Sequence, residues 1–311
     1  KMKNQRQEIR KLAPYNPPAS NRANYIRLDF NENTIGCSPR VIEALKKVQP
    51  SELSMYPDYN ELTEIIAKFN KIDASRIIVT NAGDDGIMLF MRTFVGKYDE
   101  IILPVPTFAM FKFYADLNGA KIKTVGYKED LSFPTDKVLD TINKKTKAVI
   151  LVNPNNPTGT SIKKDDIKKI IEKAQNSLVF LDEAYYDFTQ RTCIDLIDEY
   201  KNLVILRTFS KAIGLAGLRL GYLISRKKNI VALQKASSPF NVTALANRIA
   251  KAAIDDYDYV VKYVSEISGN KEYLYKEFDR LKIKFYRGDA NFILADFGKD
   301  YKIILDKLKN R

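Results

Sequence analysis

Ala148–Val152 (AVILV), Leu178–Asp182 (LVFLD) and Leu203–Arg207 (LVILR) are short runs that stay apolar residue after residue, the last two closing on a charge. A strand with one wet face alternates apolar and polar residues, whereas one buried on both faces reads as a continuous apolar run. Helical patterns lie over Lys163–Gln175 and Asp84–Phe94, and further β-rich runs occur at Arg76–Thr80, Glu100–Leu103 and Leu220–Ile224. Such alternation predicts an α/β fold with a mostly parallel central sheet covered by helices.

Outward from that block the pattern changes. Residues 1–32 read as irregular, with Pro14, Pro17 and Pro18 limiting regular structure. After Pro239 the chain reads as helical through about Lys282, then offers a strand near Asn291–Asp296 and a helix from Lys299. We therefore expect a large domain over residues 36–238 and a smaller α+β domain built from both ends, residues 1–35 and 239–311. The chain stops at Arg311 inside a helical pattern, so the smaller unit is expected to be incomplete.

A chain of 311 residues can hold a large and a small domain, and its 45% hydrophobic content is ordinary for a globular protein. No apolar run reaches the roughly 18 residues of a membrane span, and the charged Lys1–Arg10 lacks the apolar stretch of a signal peptide. Two cysteines, Cys37 and Cys193, cannot form a disulfide framework, which points to the cytoplasm. The net charge of +13 comes with lysines set beside acidic neighbours, as in Ser161–Glu172 (SIKKDDIKKIIE), the pattern of a solvated surface rather than of a nucleic-acid site. Histidine is absent altogether. That excludes Ser-His-Asp and Cys-His machinery, histidine-based zinc sites and imidazole proton shuttles. Acid–base work falls to Lys, Asp, Glu, Tyr or Cys.

In an open α/β sheet, ligands bind beyond the carboxyl ends of the strands. Three features lie at such ends: Asn153–Gly159 (NPNNPTG), Asp182 with Glu183-Ala184-Tyr185-Tyr186, and Lys211 in Arg207–Gly221 (RTFSKAIGLAGLRLG). Each has a plain reading as well. Asp182 fits a strand-end turn, Lys211 a solvated loop, and NPNNPTG a proline-punctuated turn.

Taken together, these segments resemble fold-type I pyridoxal-phosphate (PLP) enzymes, and among them the histidinol-phosphate aminotransferase family. The likeness runs from about Leu12 to the end of the chain and includes Leu28–Asn33 (LDFNEN), Tyr56-Pro57, Asn81–Asp85 (NAGDD) and Pro104–Phe108 (PVPTF). Its most diagnostic element is the spacing from Lys211 to Arg219.

The resemblance implies PLP as cofactor, with Lys211 taking up its aldehyde and Asp182 facing the protonated pyridine nitrogen. Asn156 and Tyr185 would bond the ring's phenolic oxygen, and Phe108 would stack on its face. Arg219, Thr208, Ser210 and the helix-opening Ala82-Gly83-Asp84 would hold the phosphate. Tyr56 would reach the other subunit's cofactor, implying a homodimer with shared sites. The reaction implied is amino transfer from L-histidinol phosphate to 2-oxoglutarate, with Tyr15 and Asn156 near the substrate; Tyr15 fits equally a tyrosine that packs the N-terminal arm.

Two departures stand out: Thr34 replaces the family's proline after NEN, and no position before Arg311 matches the substrate-binding arginines of the small domain. Threonine-phosphate decarboxylases and aromatic or broad-specificity aminotransferases share the same cofactor shell. A non-catalytic PLP-binding regulator would need a helix-turn-helix module, for which the residues ahead of LDFNEN are too few.

Overall fold

The computed structural model describes residues 4–10, 12–14 and 22–309. Its centre is a sheet of β1 (Ile77–Thr80), β2 (Glu100–Val105), β3 (Lys121–Gly126), β4 (Thr146–Val152), β5 (Leu178–Asp182), β6 (Leu203–Thr208) and β7 (Gly221–Ser225), in the order β1-β7-β6-β5-β4-β2-β3. Only β7 runs against its neighbours. The expected mostly parallel α/β sheet is therefore present.

Strand pleating sorts the core into two layers, because successive side chains point to opposite faces. Val149, Leu151, Val179, Leu181, Leu203 and Ile205 pack with the helices Tyr59–Asn70, Lys164–Lys173 and Ala246–Ile254. Ile150, Val152, Phe180, Val204 and Leu206 pack on the opposite side with Ala82–Phe94, Ala109–Asn118 and Lys227–Ala236. This explains why the central strands read as unbroken apolar runs. The sequence reading missed β3, whose residues Lys121, Lys123 and Thr124 are exposed at the sheet edge. An edge strand needs no apolar run.

The same alternation sorts the polar residues at the strand ends. Asp182 and Thr208 continue the face of Phe180 and Leu206, while Glu183 and Arg207 continue the face of Leu181 and Ile205. On that second face Glu183 and Arg207, 1% and 5% exposed, form a buried ion pair. Arg207 donates to Glu183 Oε2 through Nε (3.0 Å) and Nη2 (2.9 Å), and to Asn70 Oδ1 through Nη1 (2.7 Å). Glu183 Oε1 accepts from the Cys193 amide at 2.9 Å, and the Tyr186 ring lies 3.6 Å beneath the guanidinium.

Beyond β7 the chain is helical over Ala246–Ile254 and Tyr257–Arg280, followed by a two-stranded ribbon of β8 (Lys284–Tyr286) and β9 (Leu294–Asp296) and the helix Tyr301–Leu308. The strand expected over Asn291–Asp296 is shorter, and its partner β8 escaped the sequence reading because three residues carry too little pattern. The ribbon's connection meets the asparagine–proline loop through bare backbone. A Cβ on Gly159, whose φ is +71°, would lie 2.9 Å from the Gly288 Cα, and the Asp289 amide donates to Gly159 O at 2.8 Å.

Breaking a buried pair strands a charge in a dry interior. Glu183→Ala should lower the free energy of unfolding in urea by about 3–5 kcal/mol. Lys164→Ala, which removes the exposed Lys164–Asp195 pair, should cost less than about 1 kcal/mol. Equal losses in the two variants would contradict the network's structural weight.

Candidate active site

At the carboxyl edge of the sheet, the layer carrying Asp182 opens into a cavity. Val152, Asp182, Leu206 and Thr208 supply its floor, Ala82, Gly83, Asp84 and Ile87 one wall, and Phe108, Asn156, Ala184 and Tyr185 another. Ser210, Lys211 and Arg219 complete it. Residues far apart in sequence meet here because adjacent parallel strands end in register, Val152 beside Asp182 and Asp182 beside Leu206.

Asp182 is 4% exposed, and its Oδ1 accepts from the Ala184 amide at 2.9 Å. Burial, reinforced by the charge of Asp84, pushes its carboxyl up to about 7; the Ala184 bond and Lys211 act the other way. Lys211 donates to the Phe30 carbonyl at 2.9 Å. Burial lowers its pKa, against the pull of Asp84, Glu32 and Asp182, so it gives up a proton more readily than a surface lysine. The Tyr185 hydroxyl accepts from Asn31 Nδ2 at 2.9 Å and from Asn156 Nδ2 at 3.3 Å, and burial pushes its pKa up to about 12.

The other wall is the first turn of the helix Ala82–Phe94, two residues earlier than the sequence suggested. Its free N–H groups and dipole favour an anion. Gly221, at the start of β7, permits this approach: a Cβ there would fall 2.8 Å from the Ala82 carbonyl carbon. Arg219, in left-handed conformation with φ 56°, reaches Asp84 at 3.2 Å, while Thr208 donates to Ser210 Oγ at 3.0 Å.

The family model for aminotransferases of class I and II matches residues 23–310. The chain belongs to the class I and II aminotransferases. A histidinol-phosphate aminotransferase of Methanosarcina mazei is 38% identical to this aminotransferase over 274 residues, 87% of this chain and 73% of that one. One from Thermoanaerobacter pseudethanolicus is 37% identical over 290 residues, 92% and 82% of the two chains. The crystal structure of histidinol-phosphate aminotransferase from Sinorhizobium meliloti in complex with pyridoxal-5'-phosphate superposes with a TM-score of 0.90 at 23% identity, over 99% of this chain and 87% of that one, which establishes the shared fold.

Of the residues singled out in the sequence of this aminotransferase, Ala82, Gly83, Asp84, Phe108, Asn156, Asp182, Tyr185, Thr208, Ser210, Lys211 and Arg219 all line the one cavity. Tyr56 does not. It is 80% exposed, stacks on Phe240 at 4.3 Å and borders a separate groove with Arg40 and Arg248. Tyr15 lies outside the described residues. Sequence reasoning missed the contacts of Phe30 and Asn31 with Lys211 and Tyr185, since one is a backbone carbonyl and the other joins positions 154 apart. It also missed the Glu183–Arg207 pair, although opposite charges closing two adjacent apolar strands were a usable signal.

The raised pKa of Asp182 has a consequence for stability in ligand-free protein. Between about 3.9, the unfolded value, and about 7 the folded chain keeps a proton that the unfolded chain has lost. The associated stability is full below that window and lost as pH rises through it. Relative to Asp182→Asn, wild-type protein should lose on the order of 4 kcal/mol of unfolding free energy from pH 4 to pH 8. Urea titrations that run parallel for the two proteins across this range would refute the assignment.

Proposed function

We propose that this aminotransferase binds pyridoxal 5'-phosphate in the Asp182–Lys211 cavity and transfers the amino group of L-histidinol phosphate to 2-oxoglutarate in histidine biosynthesis. One observation carries the reading: a buried carboxylate with no ion-pair partner among the described residues faces the same cavity as a lysine whose pKa is lowered by burial. That donor set fits the cofactor, because a protonated pyridine nitrogen is the counter-charge Asp182 lacks. The choice of amino donor rests on the relatives' identities of 37–38%.

When bound, the cofactor supplies an electron sink that acidifies the α-carbon of an attached amine. The remaining work falls to the chain's own residues. Asp182 keeps the pyridine nitrogen protonated, and Asn156 and Tyr185 hold the phenolic oxygen. Phe108 would cover one ring face. Arg219, Thr208, Ser210 and the N–H groups of Ala82, Gly83 and Asp84 fix the phosphate, each charge-assisted bond contributing about 1.5–3 kcal/mol. The Lys211 amine takes the proton from the donor's α-carbon and, in the reverse half, returns one to the acceptor's α-carbon. We also assign Asn156, which lines the cavity, to the substrate.

We assign residues 36–238 to the cofactor-bearing unit and residues 1–35 with 239–311 to the smaller one. A twofold dimer is supported by exposed apolar side chains at Ile26, Leu28, Met55 and Tyr56, which would place Tyr56 at the partner's site. A cytoplasmic location is supported by the free thiols of Cys37 and Cys193. Among the described residues no helix is long and apolar enough to cross a membrane.

Borohydride reduction followed by peptide mapping should place a pyridoxyl tag on Lys211, and Lys211→Ala should lose both the tag and activity. With histidinol phosphate and 2-oxoglutarate the enzyme should form glutamate. Release of carbon dioxide from threonine phosphate, without glutamate formation in the first assay, would replace this reading with the decarboxylase.

A further inference from the structure

Tyr185 is 3% exposed, yet its hydroxyl oxygen meets two amide donors, Asn156 Nδ2 and Asn31 Nδ2. A phenol oxygen carries one proton and accepts through its lone pairs. With two amide hydrogens already on the oxygen, the tyrosine's own proton must point to a third group. Burial pushes the Tyr185 pKa up to about 12, so that proton stays in place at neutral pH.

Asn31 is built for this contact rather than caught in it. Its φ of 55° is a conformation that asparagine adopts more readily than most residues, and from it the side chain reaches the Tyr185 hydroxyl. Its backbone oxygen accepts from Asn291 Nδ2 at 3.0 Å, and the preceding carbonyl, of Phe30, accepts from Lys211 at 2.9 Å. The segment is thus tied to the lysine, the tyrosine and the chain just before β9.

We infer that Asn31 is a positioning residue: by occupying the Tyr185 oxygen it aims the tyrosine's proton into the cavity, at the phenolic oxygen of the bound cofactor. This rests on the cofactor reading above. A hydrogen bond donated to that oxygen stabilises it as an anion, which lowers the pH at which the lysine-bound chromophore deprotonates and changes colour. Loss of Asn31 leaves the hydroxyl free to turn away, and the midpoint rises.

The test is a pH titration of the visible absorbance of the holoenzyme, which reads the site without turnover. Asn31→Gly keeps the left-handed backbone and removes only the amide. It should raise the midpoint by about half to one pH unit, a three- to tenfold change in proton affinity. In a Tyr185→Phe background the same substitution should shift nothing. Asn31→Asp, an isostere whose carboxylate only accepts, should move the midpoint further up, and less so in the Phe background. An unmoved midpoint in Asn31→Gly, or a shift of equal size with and without the tyrosine hydroxyl, would overturn the inference while the Lys211 tag and the absorbance band stood. If wild-type protein saturated with pyridoxal phosphate gave neither band nor tag, the cofactor reading would fall and the inference with it.

Discussion

A carboxylate held in the dry end of a β-sheet is the constraint around which the site is organised. Asp182 sits there because β5 is apolar on both faces up to its last residue, and the pleat turns that residue toward the cavity. Taking such a group from water costs several kcal/mol unless a positive charge meets it. Among the described residues a single backbone amide meets it. The site therefore favours a ligand that brings a cation to that point, and a protonated pyridine does so.

The same pleat keeps structural and chemical charges apart. One residue further on, Glu183 faces the opposite layer and pairs with Arg207, itself one residue ahead of Thr208. This pair anchors the ends of β5 and β6, the strands that deliver Asp182 and Thr208 to the cavity. Rigidity is supplied from behind, and the cavity side stays free for chemistry. A structural salt bridge within the cavity would compete with a charged ligand; among the described residues Arg219–Asp84 is the one close pair there, and at about 45% exposure it can be exchanged easily.

Much of this was legible in the chain. Short β-rich runs, several of them unbroken apolar stretches, announced six of the seven sheet strands, and topology then carried Asn156, Asp182 and Lys211 to one edge. What stayed hidden had physical reasons. β3 is wet and polar because it is the edge strand, paired among the described residues with β2 alone. The grip on Lys211 is a main-chain carbonyl, which leaves no mark in residue identity. The Asn31–Tyr185 bond spans 154 positions and depends on a left-handed backbone at one asparagine. Tyr56 read as a site residue, but a single chain leaves it on the surface.

The contact between Gly159 and Gly288 restricts how this protein can vary. Where two side chains collide, a mutation at one place can be relieved by trimming the other. Here main chain rests on main chain, with the Gly159 carbonyl engaged by the Asp289 amide. Neither partner has anything to trim. A methyl group at either position is accommodated only if whole segments slide apart, so second-site suppressors of such a change must lie in the supports of the two loops and not at their meeting point.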